Sequence, residues 1–225
     1  IVDRAKELVP QIEASDLVSE GLVLDCVESL DSYEPQDGDI ILSRTTAPCV
    51  QECLRFIAKG QKANVKGRDI GASILAFIKK AKGCKPITPI EEFIDKLDAY
   101  YDQKNRELIR TRRYAAQQTL EDKYETVKAC LGQANTVGDL SVTIENLFSD
   151  KVVGITFMTV HKAKGLEADN CYIIHPELMP HPKAQDISSE MNIKYVAITR
   201  AKHRLSIVET IERRKPKEEE NVAVE

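Results

Sequence analysis

A chain of 225 residues, 42 % of them hydrophobic, is long enough to bury one sizeable core with a satellite lobe, and no apolar run in it is long enough to span a bilayer. With 32 Lys and Arg against 36 Asp and Glu the net charge is −4, which neither requires nor excludes nucleic acid; any surface for it has to be a local cluster. The six cysteines (Cys26, Cys49, Cys53, Cys84, Cys130 and Cys171) are scattered, with no C-x-x-C pair and no His at zinc spacing, which excludes a disulfide scaffold or zinc module and leads us to expect reduced thiols, no metal site, no signal peptide and a cytoplasmic location.

In chain order, residues 1–15 have a helical pattern and Leu22–Val27 that of a short strand. A loop holding Pro35 and Gly38 follows. Ile40–Ser43 is a near-continuous apolar run of the type buried on both faces of a parallel sheet. Residues 48–59 then read as a helix, with Val50, Cys53, Leu54 and Ile57 on one side. From Ile70 the pattern is helical and charged. A long amphipathic region over residues 89–132 has one stripe in Ile90, Phe93, Ile94, Leu97 and Tyr101 and a later one in Tyr124, Val127 and Leu131. Between them lies the basic run Lys104 to Arg113. Another helix is predicted over 136–147, and strands over 154–160, 170–174 and 205–209. The tail from residue 212 is charged, lacks a hydrophobic pattern and reads as frayed. A strand followed by a helix is the α/β unit. The expected organisation is a sheet domain in two parts, 1–69 and 150–211, interrupted by a helical insertion over 70–149, with a tail over 212–225.

Two blocks are more polar than packing requires. Thr159-Val160-His161-Lys162-Ala163-Lys164-Gly165-Leu166-Glu167 ends a strand-like run in His, two Lys, a Gly and a Glu. Tyr195-Val196-Ala197-Ile198-Thr199-Arg200-Ala201-Lys202 delivers an arginine at the end of an apolar segment, and a guanidinium is the side chain suited to meeting several phosphate oxygens. These blocks closely resemble motifs V and VI of the UvrD-like superfamily 1 DNA helicases, in the family's order. Asp39-Ile40-Ile41-Leu42-Ser43-Arg44-Thr45-Thr46-Ala47 resembles the family's strand ending in an R-T-N-A turn, and Val65-Lys66-Gly67-Arg68-Asp69-Ile70-Gly71 the basic turn after it.

The resemblance implies an α/β, RecA-like sheet of the P-loop-NTPase type, mostly parallel and covered by helices on both faces, with ATP and Mg²⁺ as ligands of a complete enzyme. By the same resemblance Arg200 reaches the γ-phosphate as an arginine finger, Glu167 accepts from the ribose hydroxyls, and Gly165 permits the turn that presents it. Thr159, His161, Arg44, Thr46, Lys66 and Arg68 face single-stranded or partly duplex DNA. Thr46 stands where the family has Asn, losing the bidentate amide. Read without the resemblance, Glu167 is a turn-capping surface residue, Arg200 a helix-surface ion pair, His161 a structural histidine, and Lys162 and Lys164 solvated lysines. The basic run at Arg106, Arg110, Arg112 and Arg113 could track phosphates or be neutralised by Glu107, Glu121 and Asp122. Trp is absent, and the aromatics near the motifs (Phe157, Tyr172, Tyr195) read as buried, so weak DNA binding by this chain alone is expected.

The phosphate loop G-x-x-x-x-G-K-[ST] occurs nowhere. The chain alone is therefore expected to be inactive and to hold no ATP, and to serve as the C-terminal half of an ATP-dependent DNA helicase or translocase whose N-terminal RecA-like domain is its partner. A catalytically silent module that binds DNA or protein on the same fold is the alternative. A nuclease is disfavoured, since no carboxylates and Lys stand at nuclease spacing.

Overall fold

The run without a polar face forms β2 (Ile40–Ser43), and all four of its residues are buried near the middle of a six-stranded parallel sheet. The computed structural model describes residues 1–13, 20–27 and 29–209. In chain order the elements are α1 (Val2–Lys6), β1 (Leu22–Val27), β2, α2 (Thr46–Ala58), β3 (Ala63–Val65), α3 (Arg68–Ile78), α4 (Ile90–Arg110), α5 (Tyr114–Cys130), α6 (Val137–Leu147), β4 (Ile155–Thr159), β5 (Ala168–Ile174), α7 (Ile187–Ile198) and β6 (Ala201–Val208). The strand order is β1-β6-β5-β2-β4-β3, and every pairing is parallel. Ile40 pairs with Thr156 although more than a hundred residues separate them, so the sheet closes across the helical insertion.

Alternation along the strands splits the core into two layers. Ile41, Phe157 and Tyr172 point to one side, where α2 covers them; Ile40, Leu42, Met158 and Leu205 point to the other, under α1 and α7. The insertion is continuous with the first layer. Phe93, Leu97, Val127, Leu140 and Ile144 of α4, α5 and α6 belong to the same buried cluster as Phe56 and Phe157, whose rings meet edge-on at 5.6 Å.

Several elements depart from the sequence pattern for identifiable reasons. The first helix is five residues long and not fifteen; Pro10 has no N–H to give the Lys6 carbonyl, which bars the helix from running on. Helix α2 begins two residues early, with Pro48 in its first turn, where no N–H is needed. The long amphipathic region is two helices folded back at Thr111–Arg113, with Arg112 left-handed at φ 53°. Tyr101 stacks on Tyr124 at 4.0 Å and Tyr124 donates to Asp98 at 2.9 Å, which fastens the hairpin. Helix α6 starts with a capping box between Thr136 and Asp139. Strand β6 begins at Ala201, four residues before the predicted strand. The charged tail lies outside the described residues. Among the described residues no helix is long and apolar enough to cross a membrane.

Candidate functional site

The C-terminal ends of β2, β4 and β3 lie side by side, because Ser43 pairs with Thr159 and Val65 with Phe157. Arg44, Thr46, Lys66, Arg68, Thr159 and His161 all follow directly from these ends, so one edge of the sheet collects every residue predicted to face DNA. Their states differ. Lys66 is exposed, and Arg68, 70 % exposed, pairs with Asp150 at 2.7 Å. Thr46 and Thr159 are buried, which leaves His161, two residues on, as the accessible member of its pair. Lys162 pairs with Asp69 of α3 at 2.6 Å, and Lys164 is exposed.

Arg44 is tied inward. Its Nε and Nη2 donate to Glu190 Oε2 and Oε1 at 2.9 and 2.6 Å, and Glu190 also accepts from the His181 amide at 3.0 Å. The Glu190 side chain is only 7 % exposed, and the Arg44 guanidinium holds its carboxyl below the usual range. Partial burial, and then the neighbouring Arg44 charge, depress the His161 pKa, with Glu190 opposing. The ring is therefore neutral near pH 7, with one nitrogen able to accept. The backbone amides of Thr46 and Ala47 donate to Asp122 of α5 at 2.7 and 3.1 Å, so a carboxylate from the insertion caps the first turn of α2.

The opposite edge holds the residues predicted to face the nucleotide. Ala168 pairs with Ala201 at the beginnings of β5 and β6, and the Ala168 amide donates to the Arg200 carbonyl at 3.0 Å. Glu167 and Arg200 are thereby neighbours. Arg200 is half-buried: its Nε donates to Val196 O (2.9 Å), Nη1 to Leu166 O (3.0 Å) and Nη2 to Thr199 Oγ1 (2.9 Å). Two of its five donors stay uncommitted. Glu167 is exposed, with Lys202 at 4.0 Å, on a cleft of about 940 Å³ whose wall has more acids (Asp3, Glu7, Glu13, Glu20 and Asp25) than bases (Arg4 and Lys202), with Arg200 outside its lining. Gly165 has φ 82°, a conformation that side chains with a Cβ rarely adopt. An acceptor and spare guanidinium donors suit a sugar and a phosphate. Among the described residues no group of three or more His, Cys, Asp or Glu side chains is placed to hold a metal ion.

Two segments join the edges. Residues 160–167 run from the end of β4 to the start of β5, roughly 15–20 Å along the strand direction. Helix α7 runs the same way, from Glu190 beside Arg44 to Arg200, and buries Val160 and Ala163 of the first segment in one cluster with its own Ala197 and Ile198. Residues 34–212 match the UvrD-like helicase C-terminal domain. This chain belongs to that family.

Among curated proteins, this UvrD-like domain is 40 % identical over 81 residues to the ATP-dependent DNA helicase PcrA of Staphylococcus epidermidis, a match covering 32 % of this chain and 11 % of that protein. It is 38 % identical over 87 residues to the PcrA of Staphylococcus aureus, covering 35 % and 12 %. The matched stretch thus spans about a ninth of either relative. Among solved structures, the C-terminal domain of a possible DNA helicase from Lactobacillus plantarum WCFS1 aligns over 91 % of this chain and 83 % of that one, at 13 % identity and a TM-score of 0.35.

Three residues that organise the two ends of the UvrD-like domain's sheet were not predicted as site residues. Glu190 carries no motif signal. Asp122 reads in the sequence as an acid that could neutralise the basic run, whereas it accepts from the Thr46 and Ala47 amides. Asp39 is buried beneath β2, accepting from the Gln36 amide (2.9 Å) and Asn170 (2.9 Å), and only its place before an apolar run hinted at burial. Of the aromatics near the motifs, Phe157 and Tyr172 are fully buried and Tyr195 half-buried. Cys49, Cys53, Cys84, Cys130 and Cys171 are free thiols; burial raises Cys53 and Cys130 to about 12.

Proposed function

We propose that this chain is the second RecA-like part of an ATP-dependent DNA helicase or translocase. In this reading Arg200 acts as arginine finger, Glu167 contacts the ribose, and Arg44, Thr46, Thr159, His161, Lys66 and Arg68 form the surface for DNA. The observation that carries the reading is the separation of the two residue sets onto opposite edges of one sheet, joined by residues 160–167 and by α7. ATP and Mg²⁺ would be held mainly by a companion N-terminal domain, and the nucleotide supplies the phosphoryl group that is transferred to water.

This chain's own residues then do three things. Arg200 offers its two spare donors to the charge that develops on the transferred phosphoryl group. Glu167 accepts from a sugar hydroxyl and orients the nucleotide against that guanidinium. The strand edge grips and releases DNA as closure of the cleft moves the two connecting segments.

Arg200→Ala in the complete enzyme tests the assignment. Turnover is expected to fall by roughly 10³ or more while nucleotide affinity is retained. Because the change also removes three internal hydrogen bonds, Arg200→Lys and a melting curve accompany it. Near-normal turnover in a folded Arg200→Ala protein removes this residue from the mechanism. The second reading, a silent binding module, would be favoured by a complete protein that binds DNA tightly and hydrolyses no ATP.

A further inference from the structure

The hairpin tip between α4 and α5 holds Lys104, Arg106, Arg110, Arg112 and Arg113, five cations against the single carboxylate of Glu107 within residues 103–120, in a chain whose net charge is −4. All four arginines are exposed, and among the described residues none has an ion pair or a side-chain hydrogen bond. Of the acids near them, Glu107, Glu121 and Asp122 are engaged elsewhere, and Asp102 stands one turn from Arg106 but not from Arg110, Arg112 or Arg113. Glu107 is bridged to Lys104 at 2.8 Å, with Arg110 and Arg113 only in its wider field. Glu121 is bridged to Lys183 of the β5–α7 connection, and Asp122 caps α2.

The same two acids fix where the tip lies. Helix α5 runs alongside α2 in the same direction, with Asp122 against Thr46 and Cys130 close to Cys53. Thr46 marks the C-terminal edge of the sheet, and Tyr114 begins α5 eight residues before Asp122, roughly 12 Å of helix. The arginines therefore project past the edge that gathers Arg44, Thr159 and His161. Exposed Tyr114 and Ile109 stand among them.

We infer that this hairpin tip is a second phosphate-binding surface, which takes the nucleic-acid backbone where it continues beyond the C-terminal edge of the sheet. The inference rests on reading that edge as facing DNA. Free guanidiniums match phosphate oxygens in pairs, and an opposing acidic protein surface would be met as well by lysine, of which the tip has one. Neutralising phosphates releases counterions, so each arginine in contact adds to the salt dependence of binding, by about 0.9 per contact on duplex and about 0.7 on a single strand.

The test is fluorescence anisotropy of the chain with a labelled single strand and with a labelled duplex bearing a single-stranded tail, over a range of salt. The triple variant Arg110→Ala, Arg112→Ala, Arg113→Ala is expected to reduce the slope of log K against log salt by about 2 to 3. The corresponding triple Lys variant keeps the slope, which separates charge from folding. A reduction seen on both DNAs assigns the tip to the strand, and one confined to the tailed duplex assigns it to the duplex; either supports the inference. An unchanged slope in the Ala variant overturns it, as does absence of binding by the wild-type chain at low salt. Polyglutamate competing as well as DNA, in an arginine-dependent way, would also overturn it, pointing to an acidic protein partner. His161→Ala, run in parallel, reports on the edge alone, so failure at the tip and failure of the DNA-facing edge are distinguishable.

Discussion

Arg44 and Glu190 are two charges taken largely out of water, and what they are worth depends on their being together. Removing one partner of such a pair leaves the other buried and uncompensated, a loss of about 3–5 kcal/mol, whereas replacing both by apolar groups of similar volume is often neutral. Arg44→Ala is accordingly expected to destabilise the domain by about 3 kcal/mol in urea unfolding, and Arg44→Met with Glu190→Leu to recover most of that. An additive loss in the double variant would mean that each residue acts through other contacts. The same change reports on His161. With the guanidinium gone and Glu190 left bare, the ring loses a repelling charge and faces an attracting one, so its pKa should rise in an NMR titration of Arg44→Ala. In the native chain the depressed value means that the fold accepts the neutral ring. The stability this contributes is complete above about pH 6.5 and is lost as pH falls through the folded value.

At the scale of elements, the central strands and the amphipathic helices were legible because their patterns follow from what they bury. Ile40–Ser43 is covered on both faces and is apolar throughout; Ile90, Phe93 and Leu97 face one layer and recur at helical spacing. Helix α7 was not legible as a helix, since its Ile187, Ile193, Tyr195, Val196 and Ile198 form no single stripe. Strand β3 is three residues long, too short for an alternation to register. The positions of the motif residues were legible, but not their engagement: nothing local in Arg44-Thr45-Thr46 announces a partner 146 residues away. The edge strand also depends on one glycine. A Cβ at Gly154 would meet the backbone carbonyl of Lys62, whose oxygen accepts from the Ile155 amide at 2.9 Å and holds β3 in register with β4. Gly154→Ala should therefore open this edge, lowering the melting temperature and exposing the Ala63–Val65 amides to hydrogen exchange before those of β2. Uniform protection of β2 and β3 in that variant would show that the backbone absorbs the clash.

For the whole molecule, the question is whether events at one edge of the sheet are felt at the other. The 160–167 segment starts with Val160 and Ala163 buried under α7, is anchored to α3 through Lys162 and Asp69, and ends with the Leu166 carbonyl accepting from Arg200. A displacement of its first turn is thus passed to the guanidinium through packed and hydrogen-bonded atoms rather than through solvent. His161 lies on that turn, exposed, beside the Arg44–Glu190 pair that begins α7. In the complete enzyme His161→Ala is expected to lower the DNA-stimulated ATPase rate more than the basal rate, because the basal rate depends on groups at the far edge that the change leaves in place. Steady-state ATPase titrations with single-stranded DNA on both proteins, matched for melting temperature, measure the ratio. Equal loss of both rates would make His161 a folding residue. Loss of neither would move the coupling to α7, and to its Glu190 end in particular.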